Sequence, residues 1–461
     1  MNPNTRLKSL HWILILLGPD ILGACSSQSE RGINAYAEGT LTIRVQEDST
    51  KDYSGFEVLV ITQTEGDVDT LGVALTDVEG HFAMDISAVE EGVFPILISR
   101  AGTTMAFEEY VVVDGDSTTI SGAFPLGGRR LRIISPENAA WTAYRNTKVL
   151  HNETLLRQLR DQTADLPSTQ QVLQRTSTIL WSLRANYPGT RATDLASAEA
   201  IVMLEGWNDS LVVDRLAEIR HQNPNIVSAI RAARRSFSRI FGQDSSLSMV
   251  RSYMGILPDE DQKAALHAEI VVAYSDSFRT ELALSEAMEL RRRYPDSDWS
   301  EWASRAAYEF ENLLPGMPAP SFSVVSKEGN TVSSENLKGR FLIIEFYEPT
   351  NDIFLKELGE RSSVVAALDT LVFETLSISL DPDSVINSAI FEEFEHPGIF
   401  AFMPDGRDAE IARNYNVQIV PTRFLIDPEG LIISKYPGSA MLSLEDDLID
   451  IIQQLNRAAT Q

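Results

Sequence analysis

The cysteine count limits the chemistry of this chain, because its 461 residues contain a single cysteine, Cys25. Thiol–disulfide exchange within one chain needs two thiols, typically spaced Cys-x-x-Cys at the start of a helix. A metal site needs several ligands, and no second histidine or cysteine lies near His81 in the sequence. His396 has no accompanying nucleophile and is interpreted as a loop residue. We therefore predict no catalytic residue, no metal and no cofactor.

The residues before Cys25 predict export. Residues 1–24 carry Arg6 and Lys8, then an apolar run over 11–17, then small residues, which is the order of a secretory signal peptide. The run is shorter than the roughly 20 apolar residues of a membrane-spanning helix. The block Leu-Gly-Ala-Cys at 22–25 resembles the lipobox of bacterial lipoproteins. The alternative is a chance cysteine in an ordinary signal peptide.

The lipobox resemblance implies that Cys25 is lipidated and that the polar, Ser-rich residues 25–36 form a tether. Burial of acyl chains, at about 0.8 kcal/mol per CH₂, would hold the chain at a membrane. Ser26 rather than Asp follows the cysteine. In Gram-negative bacteria this implies passage to the outer membrane, so we predict a lipid-anchored cell-envelope protein at its periplasmic face.

The formal net charge of −27 excludes nucleic acid as an expected partner, because an acidic surface repels phosphate backbones. Two interpretations of the charge stay open. An acid-rich surface is typical of proteins that work in salt, where screening removes self-repulsion, and this is the interpretation we prefer. The other is a cationic substrate.

Residues 37–126 have the pattern of a small β-sandwich. Short stretches rich in β-branched residues, such as 56–61 and 110–113, are separated by turns with Gly, Asp and Ser. The segment Thr-Asp-Val-Glu-Gly-His-Phe at 76–82 resembles the hairpin of carboxypeptidase-regulatory modules. His81 within it is interpreted as a surface residue.

Residues 136–315 change to a period of 3.6 and predict a helical domain. Two similar segments, 183–190 and 290–297, each place Tyr-Pro where one helix should stop and a polar residue where the next should be capped. The period of 34 residues typical of tetratricopeptide repeats is absent, so we predict irregular helical hairpins. Four tryptophans could line a partner groove, although buried packing is preferred: Trp181, Trp207, Trp299 and Trp302.

The clearest family signal lies in residues 316–461. Gly-Met-Pro-Ala-Pro-Ser-Phe at 316–322 is followed by Leu-Lys-Gly-Arg and the apolar run 341–347. Residues 415–430 read Tyr-Asn-Val-Gln-Ile-Val-Pro-Thr-Arg-Phe-Leu-Ile-Asp-Pro-Glu-Gly. These segments resemble the TlpA/ResA and AhpC/TSA thioredoxin-like families. The predicted fold class is therefore multidomain: an N-terminal β-sandwich, a central α-helical domain and a C-terminal α/β thioredoxin-like fold.

The resemblance also locates the family's redox site. Alignment places its two cysteine positions on Asn351 and Phe354, and neither side chain can form a thiolate. The family's cis proline matches Pro421, beside which the main chain of active members pairs with an extended peptide. We predict a peptide groove formed by Tyr347, Phe354, Val420 and Pro421.

Two carboxylates remain as candidates for acid–base chemistry. Glu345 matches the buried acid that assists proton transfer in thioredoxin, a role that lapses without a thiol. We interpret it as a strand-end carboxylate that reaches solvent. Asp352 is the second candidate, although carboxylates are common at helix starts, where they suit the helix dipole.

The leading functional hypothesis is a redox-inactive thioredoxin-like domain that binds an envelope protein or an extended peptide, in a chain that is not an enzyme. One rival is an enzyme in which Glu345 and Asp352 act as acid and base. Family membership by itself implies a thiol-disulfide oxidoreductase. The third possibility is a structural scaffold, whose partners would not depend on the loop at Pro421.

Overall fold

The structure is a computed structural model that describes residues 32–44, 51–64, 67–369, 371–383, 385–387 and 398–459. Cys25, the segment before it and His396 lie outside the described residues. Within these ranges, no helix combines the length and the apolar character needed to cross a membrane. The chain divides between Leu266 and His267 into two compact units.

The first unit begins with two four-stranded sheets, in the orders β4-β1-β7-β8 and β3-β2-β5-β6. Alternate residues of each strand face inward, as along β4, where Phe82, Met84 and Ile86 are buried and their neighbours are exposed. The inward side chains of both sheets form one hydrophobic core. The strands within the described residues are β1 (Ile33–Ile43), β2 (Phe56–Thr64), β3 (Asp67–Leu75), β4 (His81–Ala88), β5 (Gly92–Arg100), β6 (Thr103–Val112), β7 (Ser117–Phe124) and β8 (Arg132–Ile134).

The predicted tether is too long at its C-terminal end, because β1 begins at Ile33 rather than after residue 36. The polar composition of this stretch does not predict a strand. Its small residues Ala35 and Ala37 are nevertheless buried in the core. Two partner strands, β4 and β7, pair with β1 on either side. His81 is exposed at the start of β4, and its Nδ1 lies 3.0 Å from the Thr40 hydroxyl, which confirms the prediction of a surface residue.

A helical region follows, and its Tyr-Pro segments end helices as predicted. Tyr187 and Tyr294 are C-caps, while Thr190 and Ser297 cap the next helices through their side chains. Of the four tryptophans, Trp302 is buried and the others are half-buried. The helices of this part of the described chain are α1 (Pro136–Arg160), α2 (Leu166–Asn186), α3 (Arg191–Val202), α4 (Asp209–Leu216), α5 (Ile226–Phe241), α6 (Gln243–Ile256), α7 (Glu260–Asp276), α8 (Thr280–Arg293) and α9 (Asp298–Asn312).

The C-terminal part of the second unit is built on a five-stranded sheet of order β13-β12-β11-β14-β15. Strands β11, β12 and β13 are parallel, whereas β14 and β15 run antiparallel to their neighbours. Strand β11 coincides with the apolar run 341–347 of the family resemblance, and β12 is the next buried strand along the chain. The elements described here are β9 (Ser323–Val325), β10 (Thr331–Ser333), β11 (Phe341–Tyr347), α10 (Asp352–Ala367), β12 (Phe373–Ser379), β13 (Ile399–Phe402), α11 (Glu410–Asn414), β14 (Thr422–Ile426), β15 (Ile432–Pro437) and α12 (Met441–Ala459).

Hydrophobic cores cover both faces of this sheet, which explains the nearly continuous apolar character of its central strands. One core contains Ile344, Phe346 and Phe424, and the other contains Ile343 and Leu425. Neighbouring residues of one strand thus point into different cores. The loops at the ends of its central strands carry the candidate site.

Candidate functional site at the proline loop

The candidate site lies where β11 ends and β14 begins. Phe346 pairs with Thr422 across the two antiparallel strands, so the loop before Thr422 lies beside the end of β11. We call residues 418–421 the proline loop. Its Val420–Pro421 peptide bond is cis, as the family resemblance predicts. The loop is held by a hydrogen bond from Gly438 N–H to the Pro421 carbonyl, with an N···O distance of 2.7 Å.

Asn351 caps the N-terminus of α10. Its Oδ1 accepts hydrogen bonds from the N–H groups of Ile353 and Phe354, at donor–acceptor distances of 3.0 and 3.1 Å. Backbone N–H groups at a helix start stabilise the negative charge of a thiolate when a cysteine occupies this position. In this chain a neutral amide oxygen takes both bonds. Asn351 therefore completes the helix rather than supplying a reactive group.

Phe354, at the predicted second cysteine position, carries an aromatic ring. Its side chain is buried and stacks on Tyr347, with ring centroids 4.3 Å apart and an interplanar angle of 16°. Leu358, one turn further along α10, completes this small hydrophobic cluster. The position is therefore part of the packing between α10 and β11.

The predicted groove needs a correction, because all four of its proposed side chains are buried. Tyr347 is 1% exposed, Phe354 2% and Val420 5%, and Pro421 is buried as well. Tyr347 and Phe354 pack on each other, and Val420 belongs to the core on one face of the sheet, so these side chains do not form the open surface that the sequence suggested. Within the described residues, however, neither the N–H nor the carbonyl of Val420 takes part in a hydrogen bond. The other three carbonyls of the proline loop are bonded: Gln418 accepts from Arg407, Ile419 from the Thr422 hydroxyl and Pro421 from Gly438. Among the described residues, only Val420 of this loop therefore has a carbonyl without a hydrogen-bond partner.

Glu345 also lies elsewhere than predicted. It does not reach solvent but is 1% exposed in the middle of β11, where two arginines enclose it. Arg423 donates from Nε to Glu345 Oε1 at 2.8 Å, and Arg361 donates from Nε to Oε2. Arg423 also donates from Nη2 to Glu357 Oε2 at 2.8 Å. We call Glu345, Glu357, Arg361 and Arg423 the buried charge cluster.

The cluster holds Glu345 in its ionised form. Burial alone would raise the pKa of this carboxyl, but Arg361 and Arg423 outweigh burial and lower the pKa to about 2. Burial likewise acts to lower the pKa of Arg423, and the two glutamates overcome it and raise that pKa. A carboxylate held ionised in this way cannot exchange a proton near neutral pH, so Glu345 is unsuited to general acid–base catalysis.

Sequence reasoning missed three members of the cluster, Arg361, Arg423 and Glu357. The sequence contains a signal that could have located each of these residues. Arg423 interrupts an apolar strand, as Glu345 does, and the two residues are directly opposite in the register of β11 and β14. Glu357 and Arg361 are four residues apart on α10, which places them on one helix face. A charge inside an apolar strand therefore predicts an opposite charge on the paired strand.

The remaining candidates do not assemble into a catalytic centre. Asp352 is exposed at the first position of α10, where a carboxylate suits the helix dipole. The part of the chain that the structure describes contains no group of three or more His, Cys, Asp or Glu side chains arranged to hold a metal ion. The site combines the main chain of Val420, which has no hydrogen-bond partner among the described residues, with uncharged side chains at the predicted redox positions.

The sheet order and the cis-proline loop define a thioredoxin-like domain, and comparison with known proteins agrees. Residues 315–435 match the AhpC/TSA family. The C-terminal domain is thus an AhpC/TSA thioredoxin-like domain that is homologous to thiol-disulfide oxidoreductases of the ResA type.

The relatives illustrate how far this similarity extends. The thiol-disulfide oxidoreductase ResA of Bacillus subtilis (strain 168) is 21% identical over 143 residues, covering 31% of this chain and 78% of the relative. The protein of the same name from Bacillus thuringiensis subsp. konkukian is 23% identical over 128 residues, covering 28% of this chain and 72% of the relative. Among solved structures, the thioredoxin domain of a thiol-disulfide oxidoreductase from Bacteroides vulgatus has 22% identity and a TM-score of 0.28, covering 31% of this chain and 99% of that one.

Proposed function

We propose that this chain is a lipid-anchored cell-envelope protein whose thioredoxin-like domain is redox-inactive and binds another protein through an extended segment. Lipidation of Cys25 would anchor it, at the periplasmic face of the outer membrane. The thioredoxin-like domain would span residues 316–461 and follow a β-sandwich and a helical domain. The proline loop would be its binding surface.

One observation carries this proposal: the Val420–Pro421 peptide bond is cis, while Asn351 and Phe354 occupy the positions where the family resemblance expects cysteines. Val420 presents an N–H and a carbonyl that no described residue bonds, beside a cis peptide bond. An extended segment that adds to such a main chain gains hydrogen bonds without needing a thiol. Asn351 and Phe354, in contrast, are committed to capping and packing.

The two enzymatic alternatives have less support. Thiol–disulfide exchange needs a thiolate, and Cys25, the only cysteine, is far in sequence from the proline loop and is assigned to lipidation. Acid–base catalysis by Glu345 conflicts with its lowered pKa. An insulin-reduction assay on the mature chain tests the first alternative, and turnover above the uncatalysed rate would contradict the proposal.

The binding surface is tested with one substitution at the proline loop and a matched one at the opposite end of the sheet. Ile419→Asp places a charge on the half-buried residue next to Val420. Leu371→Asp changes an 84%-exposed residue just before β12 and serves as the control. Envelope proteins captured by the full chain should be lost with Ile419→Asp and kept with Leu371→Asp. Equal capture by both variants would place the binding surface elsewhere.

Anchoring is tested separately. Replacement of Cys25 by Ser should move the protein from the membrane fraction to the soluble fraction, because the acyl chains would be missing. A Cys25→Ser protein that stays in the membrane fraction would contradict the anchor. A variant that ends at residue 315 should remain in the membrane fraction and lose the captured partner.

A further inference from the structure

Three loops converge beside the proline loop, at the carboxyl ends of the parallel strands. Leu380 N–H donates to the Tyr347 carbonyl at 2.8 Å, and Met403 N–H donates to the Ser379 carbonyl at 3.0 Å. The loops that follow β11, β12 and β13 are thus joined in that order. Ligands of open α/β sheets bind outside the carboxyl ends of parallel strands, so these loops form the surroundings of any segment bound at Val420.

Arg407 ties two of these loops to the proline loop. Its Nε lies 2.6 Å from Glu348 Oε1, in the loop after β11. Its Nη1 donates to the carbonyl of Gln418 at 3.2 Å. The guanidinium is therefore already engaged on both sides, and its charge is balanced by Glu348. Arg407 fixes the edge of the proline loop instead of offering a free cation.

The other charged side chains on these loops are mostly acidic. The segments 347–356, 380–383 and 403–413 contain seven acidic residues and three basic ones, and residues 414–421 contain none of either sign. Five of the acids are exposed, and none of these five has an ion-pair partner among the described residues: Asp352, Asp383, Asp405, Asp408 and Glu410. The basic residues other than Arg407 are Lys356 and Arg413, on the adjoining helices.

We infer that the proline loop selects an extended segment that carries lysine or arginine, an inference that rests on the proposed function. The main chain of Val420 supplies hydrogen bonds that do not depend on the side chains of the bound segment. The acidic residues of the surrounding loops favour a segment of positive charge. A positive segment is attracted over about one Debye length, roughly 10 Å at 0.1 M salt, whereas an acidic segment is repelled. Selection by charge should therefore be strong in low salt and fade in high salt.

The probe is an array of random 12-residue peptides, applied to the full chain and to Val420→Pro, which removes the N–H donor. Ile419→Pro, which constrains the loop without changing its charge, is used in parallel as a second variant. Peptides that need the loop are those that bind the full chain and neither variant. The most tightly bound of them are then synthesised in three versions, with Lys, Gln or Glu at the same two positions, and their affinities are measured by fluorescence anisotropy.

We expect the Lys versions to bind at least ~5-fold more tightly than the Glu versions at 50 mM NaCl, and within ~2-fold of them at 1 M NaCl. The double variant Asp405→Asn/Asp408→Asn should reduce this preference. Its control, Glu335→Gln/Glu429→Gln, makes the same charge change at the opposite end of the sheet and should leave the preference unchanged.

The possible failures are distinguishable. If loop-dependent peptides are found and their Lys, Gln and Glu versions bind equally at 50 mM NaCl, charge selection is wrong and the proposed function stands. The same holds if the control variant lowers the preference as much as Asp405→Asn/Asp408→Asn does, because the effect would then come from net charge alone. If no peptide of any composition depends on the proline loop, both the inference and the proposed function are overturned.

Discussion

The substitution Glu345→Gln tests whether the buried charge cluster is held together by opposite charges. Glutamine keeps the size of the side chain but leaves the two arginines of the cluster with only Glu357 as an anionic partner. Arg361 and Arg423 are 2% and 1% exposed, so water cannot replace the lost carboxylate. Removing one partner of a buried ion pair typically costs about 3–5 kcal/mol, because a charge is left uncompensated.

The pKa of Glu345 gives a second value for the free energy that Glu345→Gln should cost. Against the effect of burial, Arg361 and Arg423 lower it from the ordinary value of 4.5 to about 2, and each pKa unit corresponds to about 1.4 kcal/mol, so the ionised form contributes about 3 kcal/mol. Because the pKa is lower in the folded state, this stability is fully present above pH 4.5 and is lost as the pH falls toward 2. The wild-type protein should therefore lose more stability over this interval than Glu345→Gln does.

Hydrogen exchange measured by mass spectrometry on the β11 peptide, residues 341–347, reports the free energy of opening where the change is made. At pH 7 we expect Glu345→Gln to lower that free energy by about 3 kcal/mol. Glu345→Gln/Arg361→Met restores equal numbers of positive and negative charges, with Met filling part of the arginine's volume, and should recover at least about 1 kcal/mol. A loss below about 1 kcal/mol for the single variant, or no recovery in the double variant, would refute the reasoning.

Three further predictions concern the former redox positions. Asn351→Ala should lower the free energy of unfolding by about 1 kcal/mol, because the N–H groups of Ile353 and Phe354 lose their acceptor. Asn351→Asp keeps an acceptor and should leave the free energy of unfolding unchanged. Thermal denaturation of both variants measures the difference. Phe354→Ala should cost about 3–5 kcal/mol in chemical denaturation through loss of the stack on Tyr347, and a loss below about 1 kcal/mol would contradict that packing. The variant Asn351→Cys/Phe354→Cys should show two additional thiols in a thiol titration. It should reduce insulin no faster than the parent chain, because Glu345 stays ionised and supplies no proton. Clear turnover would show that only the thiols were missing.

Much of the scaffold could be predicted from local pattern. The Tyr-Pro helix ends at Tyr187 and Tyr294 follow from a proline that cannot continue a helix and a polar residue placed to cap the next one. The strands β11 and β12 follow from apolar runs of the right length for buried parallel strands. These features depend on neighbours in the sequence, which is why the sequence is sufficient to locate them.

The candidate site depends on residues that are distant in sequence, and there the predictions fail. Glu345 and Arg423 are 78 positions apart, and they meet only because β11 and β14 pair in one particular register. Without that register, a carboxylate in a strand is reasonably assigned to solvent. The burial of Phe354 has the same origin, since it depends on how α10 packs over Tyr347 at the end of β11.

The residues at the predicted redox positions are integrated into the fold, and this bears on the function proposed for the domain. Asn351 caps the start of α10, Phe354 packs on Tyr347, and Glu345 is held ionised by two arginines. Each of these three local structures opposes thiol chemistry at this site. The main chain of Val420 has no such commitment among the described residues. Thiol chemistry at this site would require the first three positions to be available, whereas the proposed binding requires only the fourth. The arrangement of bonds around the proline loop therefore supports the proposed binding function over thiol chemistry at this site.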